Sequence, residues 1–173
     1  MVVTTPQANP KSRRCVFLDR DGVINVAPRR GEYVRTWEEF RLIPQIVDWG
    51  RILKACGFLL IVVTNQRAVA RGLLSEQALA QIHEKMREEL NRLGVLIDDV
   101  FCCPHDEGMC DCRKPLPGLI TRAAQKWNIV VSESVLIGDT DTDRQLAAAC
   151  GMTYIHVRNG DVLQVIPNGN VPG

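Results

Sequence analysis

Short, unbroken apolar runs that alternate with helical patterns are the feature that most constrains the fold of this chain. FLLIVV at 58–63 contains only apolar residues, and CVFL at 15–18 and SVLIG at 134–138 are similar. Strands that are buried on both faces of a parallel sheet give such runs, whereas half-exposed strands alternate apolar and polar residues. Two further strands are predicted around VFCC at 100–103 and over TYIHV at 153–157. The sequence therefore predicts a parallel sheet of five strands.

Helical patterns fill most of the intervals between these strands. Ser75 is a predicted N-cap, and apolar residues recur after it every three or four positions. Asp141 is the predicted N-cap of a later helix. The four predicted helices span 44–57, 75–94, 117–127 and 141–151. Strands that alternate with helices predict a single α/β, Rossmann-like domain with helices on both faces of the sheet.

The length and charge of the chain limit its organisation and its partners. A chain of 173 residues is the size of one domain, and we assign that domain to 13–160, after a flexible arm at 1–12 and before a weakly patterned tail at 161–173. The net charge of +1 does not favour nucleic-acid or membrane binding. The start of the chain lacks the apolar stretch of a signal peptide, and no apolar run reaches about 18 residues. We expect a cytoplasmic, monomeric protein that acts on a small-molecule substrate.

Polar residues come after four of the predicted strands. Ligands of open α/β sheets bind at the carboxyl ends of the strands, so we expect these residues to share one site. Carboxylates and a lysine in one crevice suit Mg²⁺ and a phosphoryl group, because Mg²⁺ prefers oxygen ligands and bridges to phosphate oxygens. The residues are Asp19 and Asp21, Thr64 and Asn65, Arg113 and Lys114, and Asp139 and Asp143.

These residue types suggest a division of roles. Asp19 is placed to attack phosphorus and form an aspartyl-phosphate, and Asp21 is placed for acid–base work on the leaving group and then on water. Thr64 and Lys114 would bind the transferring oxygens. A single Asp after a strand is most often a turn former or a helix cap. The prediction therefore depends on the joint placement of these residues after successive strands.

Four segments resemble, in order, the four motifs of the haloacid-dehalogenase (HAD) phosphatase superfamily. The segments are FLDRDGVIN at 17–25, VVTNQ at 62–66, CRKP at 112–115 and IGDTDTDRQLA at 137–147. The resemblance implies that Asp19 is the nucleophile and Asp21 the general acid/base. It also implies that Mg²⁺ is held by the Asp19 side chain, the Asp21 backbone carbonyl and Asp139, with Asp143 supporting the metal site from behind.

A cluster of soft ligands lies in the loop at 102–113. Cys103-x-His105 and Cys110-x-Cys112 supply four ligands that suit a closed, tetrahedral, structural Zn²⁺ site. A redox role for these cysteines is less well supported than a zinc site, because the chain has no Cys-x-x-Cys motif. The loop resembles the zinc loop of one branch of the superfamily, the heptose bisphosphate and histidinol phosphatases.

Other cysteines and one histidine receive structural interpretations. Cys15, Cys56 and Cys150 are predicted to be buried small hydrophobes. Cys102, the competing first zinc ligand, is expected to face the core. His83 lies on the second predicted helix and is predicted to be solvated.

Several details resemble the heptose branch. TNQRAVARG at 64–72, CRKPLPG at 112–118 and GEYV at 31–34 match its patterns. The resemblance implies an essentially capless enzyme that hydrolyses the C7 phosphate of a heptose 1,7-bisphosphate. The predicted substrate-binding residues are Asn65, Gln66, Arg67, Arg71 and Arg113. The zinc loop is, however, closer in length to that of the histidinol phosphatases, so histidinol phosphate stays as an alternative substrate.

Rival classes of function also remain open. A polynucleotide 3′-phosphatase shares the motifs but needs a basic, aromatic-bearing channel, which 5% aromatic residues do not favour. A non-catalytic zinc-loop interaction module is disfavoured by the complete set of acids and Lys114. Arg29, Arg30 and Arg67 are either solvated surface residues or clamps for a second phosphate, to which the guanidinium geometry is suited.

Overall fold

The computed structural model describes residues 12–168. The predicted arm at 1–12 lies outside these residues except for its last position, as does the end of the predicted tail. The strands are β1 (Cys15–Leu18), β2 (Leu59–Asn65), β3 (Asp99–Cys103), β4 (Val135–Gly138), β5 (Thr153–Arg158) and β6 (Asp161–Ile166). The helices are α1 (Gln45–Ala55), α2 (Glu76–Arg92), α3 (Gly118–Trp127) and α4 (Asp141–Ala149).

The strands form one sheet in the order β3-β2-β1-β4-β5-β6. The first five strands pair in parallel, which confirms the predicted α/β class and the parallel sheet. β1 lies between β2 and β4. The strands that follow β1 in sequence, β2 and β3, lie on one side of it, and β4 and β5 lie on the other. Such a switch in strand order opens a crevice at the carboxyl ends of the strands. The fold therefore places the residues after β1, β2 and β4 around one crevice.

Successive residues of β1 pack into two separate cores. Val16 and Leu18 belong to the apolar cluster that includes side chains of α1 and α2. Cys15 and Phe17 belong to the cluster on the other face, with side chains of α3 and α4. Because both faces of the strand are covered, each of these residues must be apolar, which explains the unbroken apolar runs.

The predicted start of α2 is confirmed, whereas that of α4 is one residue late. Ser75 is the N-cap of α2, and its Oγ accepts a hydrogen bond from the Ala78 N–H at 3.1 Å. The N-cap of α4 is Thr140 instead of Asp141, because Thr140 and Asp143 exchange side-chain-to-backbone hydrogen bonds in a capping box. Asp141 is the first helical residue and pairs with Arg144.

A sixth strand corrects both the predicted five-stranded sheet and the predicted tail. β6 pairs with β5 in the antiparallel direction at the edge of the sheet. Asn159 and Gly160 join the two strands with φ angles of 51° and 89°, and positive φ at both central residues is typical of a type I′ hairpin turn. Most side chains of β6 are exposed, so the segment lacks the apolar run that marks the other strands.

The segment between β1 and α1 folds back on itself and forms no separate domain. The Val26 N–H donates to the Arg41 carbonyl and the Ile43 N–H donates to the Ile24 carbonyl, each at 2.8 Å. Tyr33 packs against the apolar cluster that α1 and α2 share. This short flap agrees with the expectation of an essentially capless site.

Two further sequence expectations are settled by burial. Cys15 is buried, but Cys56 is exposed, because it follows the last residue of α1 and lies in the turn before β2. Cys102 is half-buried and packs against the core, as expected. Over residues 12–168, no helix combines the length and the apolar character that crossing a membrane requires.

Candidate active site

A cleft of about 280 Å³ opens at the carboxyl ends of β1, β2 and β4. It collects residues from all four sequence motifs, as the strand-end argument predicts. The four residues predicted to be catalytic all lie on its walls. Its lining includes Asp19, Asp21, Thr64, Asn65, Arg113, Lys114 and Asp139.

Lys114 lies at the floor of this cleft and is held from several sides. Its Nζ lies 2.8 Å from Oδ1 of Asp19 and 2.6 Å from Oδ1 of Asp143, and it donates to the Val63 carbonyl at 3.0 Å. The Asn65 side chain accepts a hydrogen bond from the Lys114 N–H at 3.0 Å and donates to the Lys114 carbonyl at 3.1 Å. The end of β2 and the lysine motif therefore form one cross-linked unit.

Three carboxylates converge beside this lysine. Oxygen atoms of Asp19, Asp139 and Asp143 lie within 4.8 Å of one another. Burial and the neighbouring Asp143 and Asp139 carboxylates raise the pKa of Asp19 to about 7, although Lys114 opposes the shift. Burial and the Asp143 carboxylate likewise raise the pKa of Asp139 to about 6. The ionised cluster thus carries more negative charge than the single ammonium can balance.

The cluster has the properties of a site for a hard divalent cation. Oδ1 of Asp139 is buried and has no hydrogen-bond partner among the described residues. Gly22 has a φ of 90°, and a Cβ added to it would lie 2.0 Å from Oδ2 of Asp139, so the glycine leaves the space that this carboxylate occupies. An all-oxygen donor set with surplus negative charge fits Mg²⁺.

Asp21 lies at the edge of the cleft, where its carboxylate accepts hydrogen bonds from three side chains. Asn25 Nδ2 and Gln66 Nε2 each donate to it at 2.9 Å, and Arg20 forms an ion pair with it at 2.8 Å. Burial raises the pKa of Asp21, but the Arg20 guanidinium and the two amide donors lower it by more, so the pKa falls below its usual range. Asp21 is therefore held ionised in one orientation.

The predicted substrate-binding residues separate into three groups. Asn65 and Arg113 line the cleft. Gln66 is buried beneath it and donates to Thr64 Oγ1 at 2.9 Å as well as to Asp21. Arg67 and Arg71 are not part of the cleft lining.

Arg67 and Arg71 instead link two loops at the rim. Both guanidinium groups donate to the Tyr33 hydroxyl, at 3.2 and 3.1 Å. Both also pair with Asp106 in the cysteine-rich loop, Arg71 at 3.2 Å and Arg67 at 3.8 Å. These contacts join the flap after β1 to the cysteine-rich loop.

His83 is buried, so the predicted solvated position is wrong. Its side chain is 8% exposed and its Nε2 lies 3.3 Å from Nη1 of Arg20, which is fully buried. Burial and the Arg20 charge lower the pKa of His83 to about 3. His83 lies next to Ile82 on α2, and both residues are on the buried face of the helix.

The four predicted zinc ligands lie together at the end of β3. Cys110 Sγ lies 3.5 Å from Cys103 Sγ and 3.4 Å from Cys112 Sγ, and His105 Nδ1 lies 3.5 Å from Cys112 Sγ. The four ligand atoms fall within 4.8 Å of one another. Tetrahedral Zn²⁺ with Zn–S bonds of about 2.3 Å requires ligand atoms at roughly these separations.

Two cavities adjoin the catalytic cleft. One of about 220 Å³ lies beneath the cysteine-rich loop and shares Asn65, Arg113 and Lys114 with the cleft. A larger one, of about 560 Å³, lies beyond Ala27 and Pro28 and contains none of the clustered carboxylates. The predicted catalytic residues therefore lie in the cleft of about 280 Å³, and the cavity beneath the cysteine-rich loop extends that cleft.

Some site residues were not anticipated. Arg20 and Asn25 contact Asp21, and Thr140 and Thr142 line the cleft. Arg20 and Asn25 fall inside the first motif, so the motif itself was the available signal. Thr140 could have been found from the Thr-x-x-Asp pattern of a capping box.

Comparisons with known proteins identify the family of this chain. Residues 111–164 match the model of the HAD-hydrolase-like family. The D-glycero-beta-D-manno-heptose-1,7-bisphosphate 7-phosphatase of Rhodopseudomonas palustris is 39% identical over 163 residues, covering 90% of this chain and 89% of that protein. The Yersinia pestis protein of the same name is 38% identical, covering 84% of this chain and 80% of that protein.

A solved structure shows the same relationship. The D,D-heptose 1,7-bisphosphate phosphatase from B. bronchiseptica, complexed with magnesium and phosphate, superposes with a TM-score of 0.78 at 32% identity. The match covers 85% of this chain and 83% of that chain.

Proposed function

Because this chain belongs to the family of the D-glycero-beta-D-manno-heptose-1,7-bisphosphate 7-phosphatases, within the HAD-like hydrolases, we propose that it removes the C7 phosphate of a heptose 1,7-bisphosphate. The observation that carries the proposal is the position of Lys114 between Asp19 and Asp143, beside Asp139, in one cleft. These groups supply a nucleophile and the charges that a transferring phosphoryl group requires.

In the first half of the reaction, a carboxylate oxygen of Asp19 attacks phosphorus and forms the aspartyl-phosphate. The bond between phosphorus and the C7 oxygen breaks, and its electron pair goes to that oxygen. Asp21, which rests as a carboxylate, first takes up a proton from solvent and then gives it to this oxygen, so the sugar leaves as an alcohol. Thr64 binds the transferring group, and Lys114, whose ammonium is held by Asp19, Asp143 and Val63, neutralises its charge.

In the second half, water attacks the phosphorus of the aspartyl-phosphate. The Asp21 carboxylate takes a proton from this water, and the bond between phosphorus and the Asp19 oxygen breaks. Inorganic phosphate leaves, Asp19 is again a carboxylate, and Asp21 returns its proton to solvent. The balance is one ester and one water consumed, and one alcohol and one phosphate released.

Mg²⁺ would be held by the Asp19 side chain, the Asp21 backbone carbonyl and Asp139. When bound, it neutralises and orients the phosphoryl oxygens. The converging carboxylates and the unpartnered oxygen of Asp139 support this assignment. Asp143 supports the site indirectly, through its ion pair with Lys114.

A structural Zn²⁺ would be held by Cys103, His105, Cys110 and Cys112. Cys112 precedes Arg113 and Lys114 directly, so fixing this ligand also fixes the two basic residues. The Arg113 guanidinium donates to the His105 carbonyl at 3.3 Å, which ties it to the same loop.

The substrate-binding proposal follows from the shape of the cleft. Asn65 and Arg113 would contact the sugar phosphate, with the cavity beneath the cysteine-rich loop as room for its non-reacting part. Arg29 and Arg30, which are exposed, remain candidates to clamp the second phosphate. Arg67 and Arg71 are better placed to support the rim than to contact substrate, because Tyr33 and Asp106 engage both.

A cytoplasmic monomer acting on a small diffusible substrate is the setting we propose. Thiolate ligands for Zn²⁺ must stay reduced, which a reducing compartment provides.

A substrate panel tests the function. Purified protein with Mg²⁺ is assayed for phosphate release from both anomers of the heptose 1,7-bisphosphate, from histidinol phosphate and from a 3′-phosphorylated oligonucleotide. We expect kcat/KM to be highest for a heptose bisphosphate, with phosphate lost from C7. Faster turnover of histidinol phosphate would refute the substrate assignment, and turnover of none would favour a non-catalytic zinc-loop module.

A further inference from the structure

We propose that His83 is a positioning residue for proton transfer: it anchors the Arg20 guanidinium, and Arg20 in turn orients the Asp21 carboxylate. The inference rests on the proposed function, because it concerns the residue that exchanges protons with the substrate and with water. It assigns a role to a histidine that lies outside the four sequence motifs.

The Arg20 guanidinium is divided between two partners. Its Nε and Nη2 donate to the Asp21 carboxylate, at 3.2 Å and at 2.8 and 2.9 Å, which makes a two-pronged contact. Its Nη1 points the other way, to His83 Nε2 at 3.3 Å. Arg20 is fully buried, so no solvent replaces a lost partner, and a buried guanidinium N–H without an acceptor is costly.

The histidine must act as a hydrogen-bond acceptor here. A guanidinium has only donors, so Nε2 of His83 has to be unprotonated and Nδ1 has to carry the ring proton. Burial and the nearby Arg20 charge both disfavour a second ring proton, which is consistent with the lowered pKa of His83. The ring is thus neutral, with its lone pair directed at Arg20.

The contact ties the first motif to the helical layer. Arg20 and Asp21 are neighbours in the chain, so their ion pair alone leaves them free to shift together. His83 belongs to α2 and is 63 residues away in sequence from Arg20. Through this anchor, Asp21 is fixed from α2 on one side, while Gln66 and Asn25 donate to its oxygens on the others.

A spectroscopic measurement tests the contact without relying on activity. In ¹⁵N-histidine-labelled protein at neutral pH, long-range ¹H–¹⁵N spectra identify which ring nitrogen carries the proton. We expect His83 to be the Nδ1–H tautomer, with Nε2 unprotonated. A protonated Nε2 would overturn the proposal, because that atom would then face the Arg20 donors with a proton of its own.

Kinetics test the consequence. His83→Leu removes the acceptor at similar volume, and we expect kcat to fall at least about tenfold with KM changed less than about twofold, since proton transfer contributes to the transition state. His83→Gln restores an acceptor oxygen, and we expect its kcat to lie within about threefold of the wild type. Ile82→Ala is the matched control, a buried neighbour on α2 that should lose thermal stability but keep kcat.

The outcomes separate the two proposals. A His83→Leu protein with wild-type kcat, or a loss that His83→Gln does not restore, would overturn the positioning role. If His83→Leu does not fold, the tautomer and the kcat of His83→Gln decide, and a large loss in His83→Gln counts against the role. A wild-type protein that turns over neither heptose bisphosphate nor p-nitrophenyl phosphate would refute the proposed function, whereas the tautomer would still report on the contact.

Discussion

The Lys114 ammonium lies 2.8 Å from Oδ1 of Asp19, with both side chains almost entirely withdrawn from solvent. Asp143 Oδ1 and the Val63 carbonyl occupy the remaining sides of the ammonium. Burial of the lysine is offset by these negative neighbours, which raise its pKa, so it stays charged. A permanent positive charge therefore lies beside the carboxylate that we propose as the nucleophile.

Replacing Asp19 with Asn should abolish turnover while the fold survives. The amide keeps the shape and one acceptor oxygen for Lys114 but is a poor nucleophile, so we expect kcat to fall by about 10³-fold or more. Phosphate release and far-UV circular dichroism measure the two parts. Asp48→Asn, at an exposed site on α1, is the control. Substantial residual activity would exclude the aspartyl-phosphate mechanism.

Disrupting the cysteine cluster should cost stability more than chemistry. Cys110→Ser removes one of the four ligands, and we expect metal analysis to find less than one Zn²⁺ per chain and a Tm about 5–10 °C lower. Cys56→Ser, at an exposed cysteine outside the cluster, should retain both Zn²⁺ and Tm. Equal melting of metal-loaded and metal-free protein would rule out the structural role.

Arg113 and Arg71 should differ in their effect on substrate binding. Arg113 lines the cleft, so we expect Arg113→Ala to raise KM for the bisphosphate about tenfold or more. Arg71 is engaged by Tyr33 and Asp106 at the rim, so Arg71→Ala should change KM less than about threefold. Steady-state kinetics on the same substrate compare the two. The reverse order would restore Arg71 as a substrate-binding residue.

His83 should make the folded state less stable in mild acid. Its pKa in the folded protein, about 3, lies below the unfolded value of about 6.5, so the unfolded chain binds the extra proton first as pH falls. The stability that neutral His83 contributes to the folded state is present above about pH 6.5 and is lost as pH falls from there towards 3. Arg20 and Asp21 are the charged groups that face the ring.

Urea denaturation at pH 7 and at pH 5 measures this effect. We expect the wild type to lose about 2 kcal/mol more of its unfolding free energy than His83→Gln over that interval. Carboxyl groups that titrate in the same range are present in both proteins, so their contribution cancels. Equal losses would show that His83 is accessible or protonated in the folded state.

The central sheet and the site could be predicted because each signal was local and repeated. Buried parallel strands must be apolar on both faces, so runs such as CVFL at 15–18 identify themselves. The segments at the carboxyl ends of the strands then meet by topology, which makes the shared cleft of Asp19, Thr64 and Lys114 predictable from the sequence. Their chemical roles remain proposals.

The wrong predictions concern residues whose partner is distant in sequence and elements whose side chains are exposed. The burial of His83 could not be predicted, because its partner Arg20 is 63 positions away and the sequence near His83 gives no sign of the contact. β6 was missed because its exposed side chains leave no apolar run, although Asn159-Gly160 was a usable hairpin signal. At α4, Asp141 has the residue type of a cap, but Thr140 offers the reciprocal pattern with Asp143 and is the N-cap.

The pairing of the Asn65 side chain with the Lys114 backbone has a consequence for how such enzymes diversify. It cross-links the second and third motifs beneath the cleft. Arg113, the flap and the cysteine-rich loop lie at the more exposed rim of the cleft. Substitutions in the rim can therefore alter which ester enters without unsettling the groups that break it. The same set of reacting groups can therefore be combined with different substrate specificities.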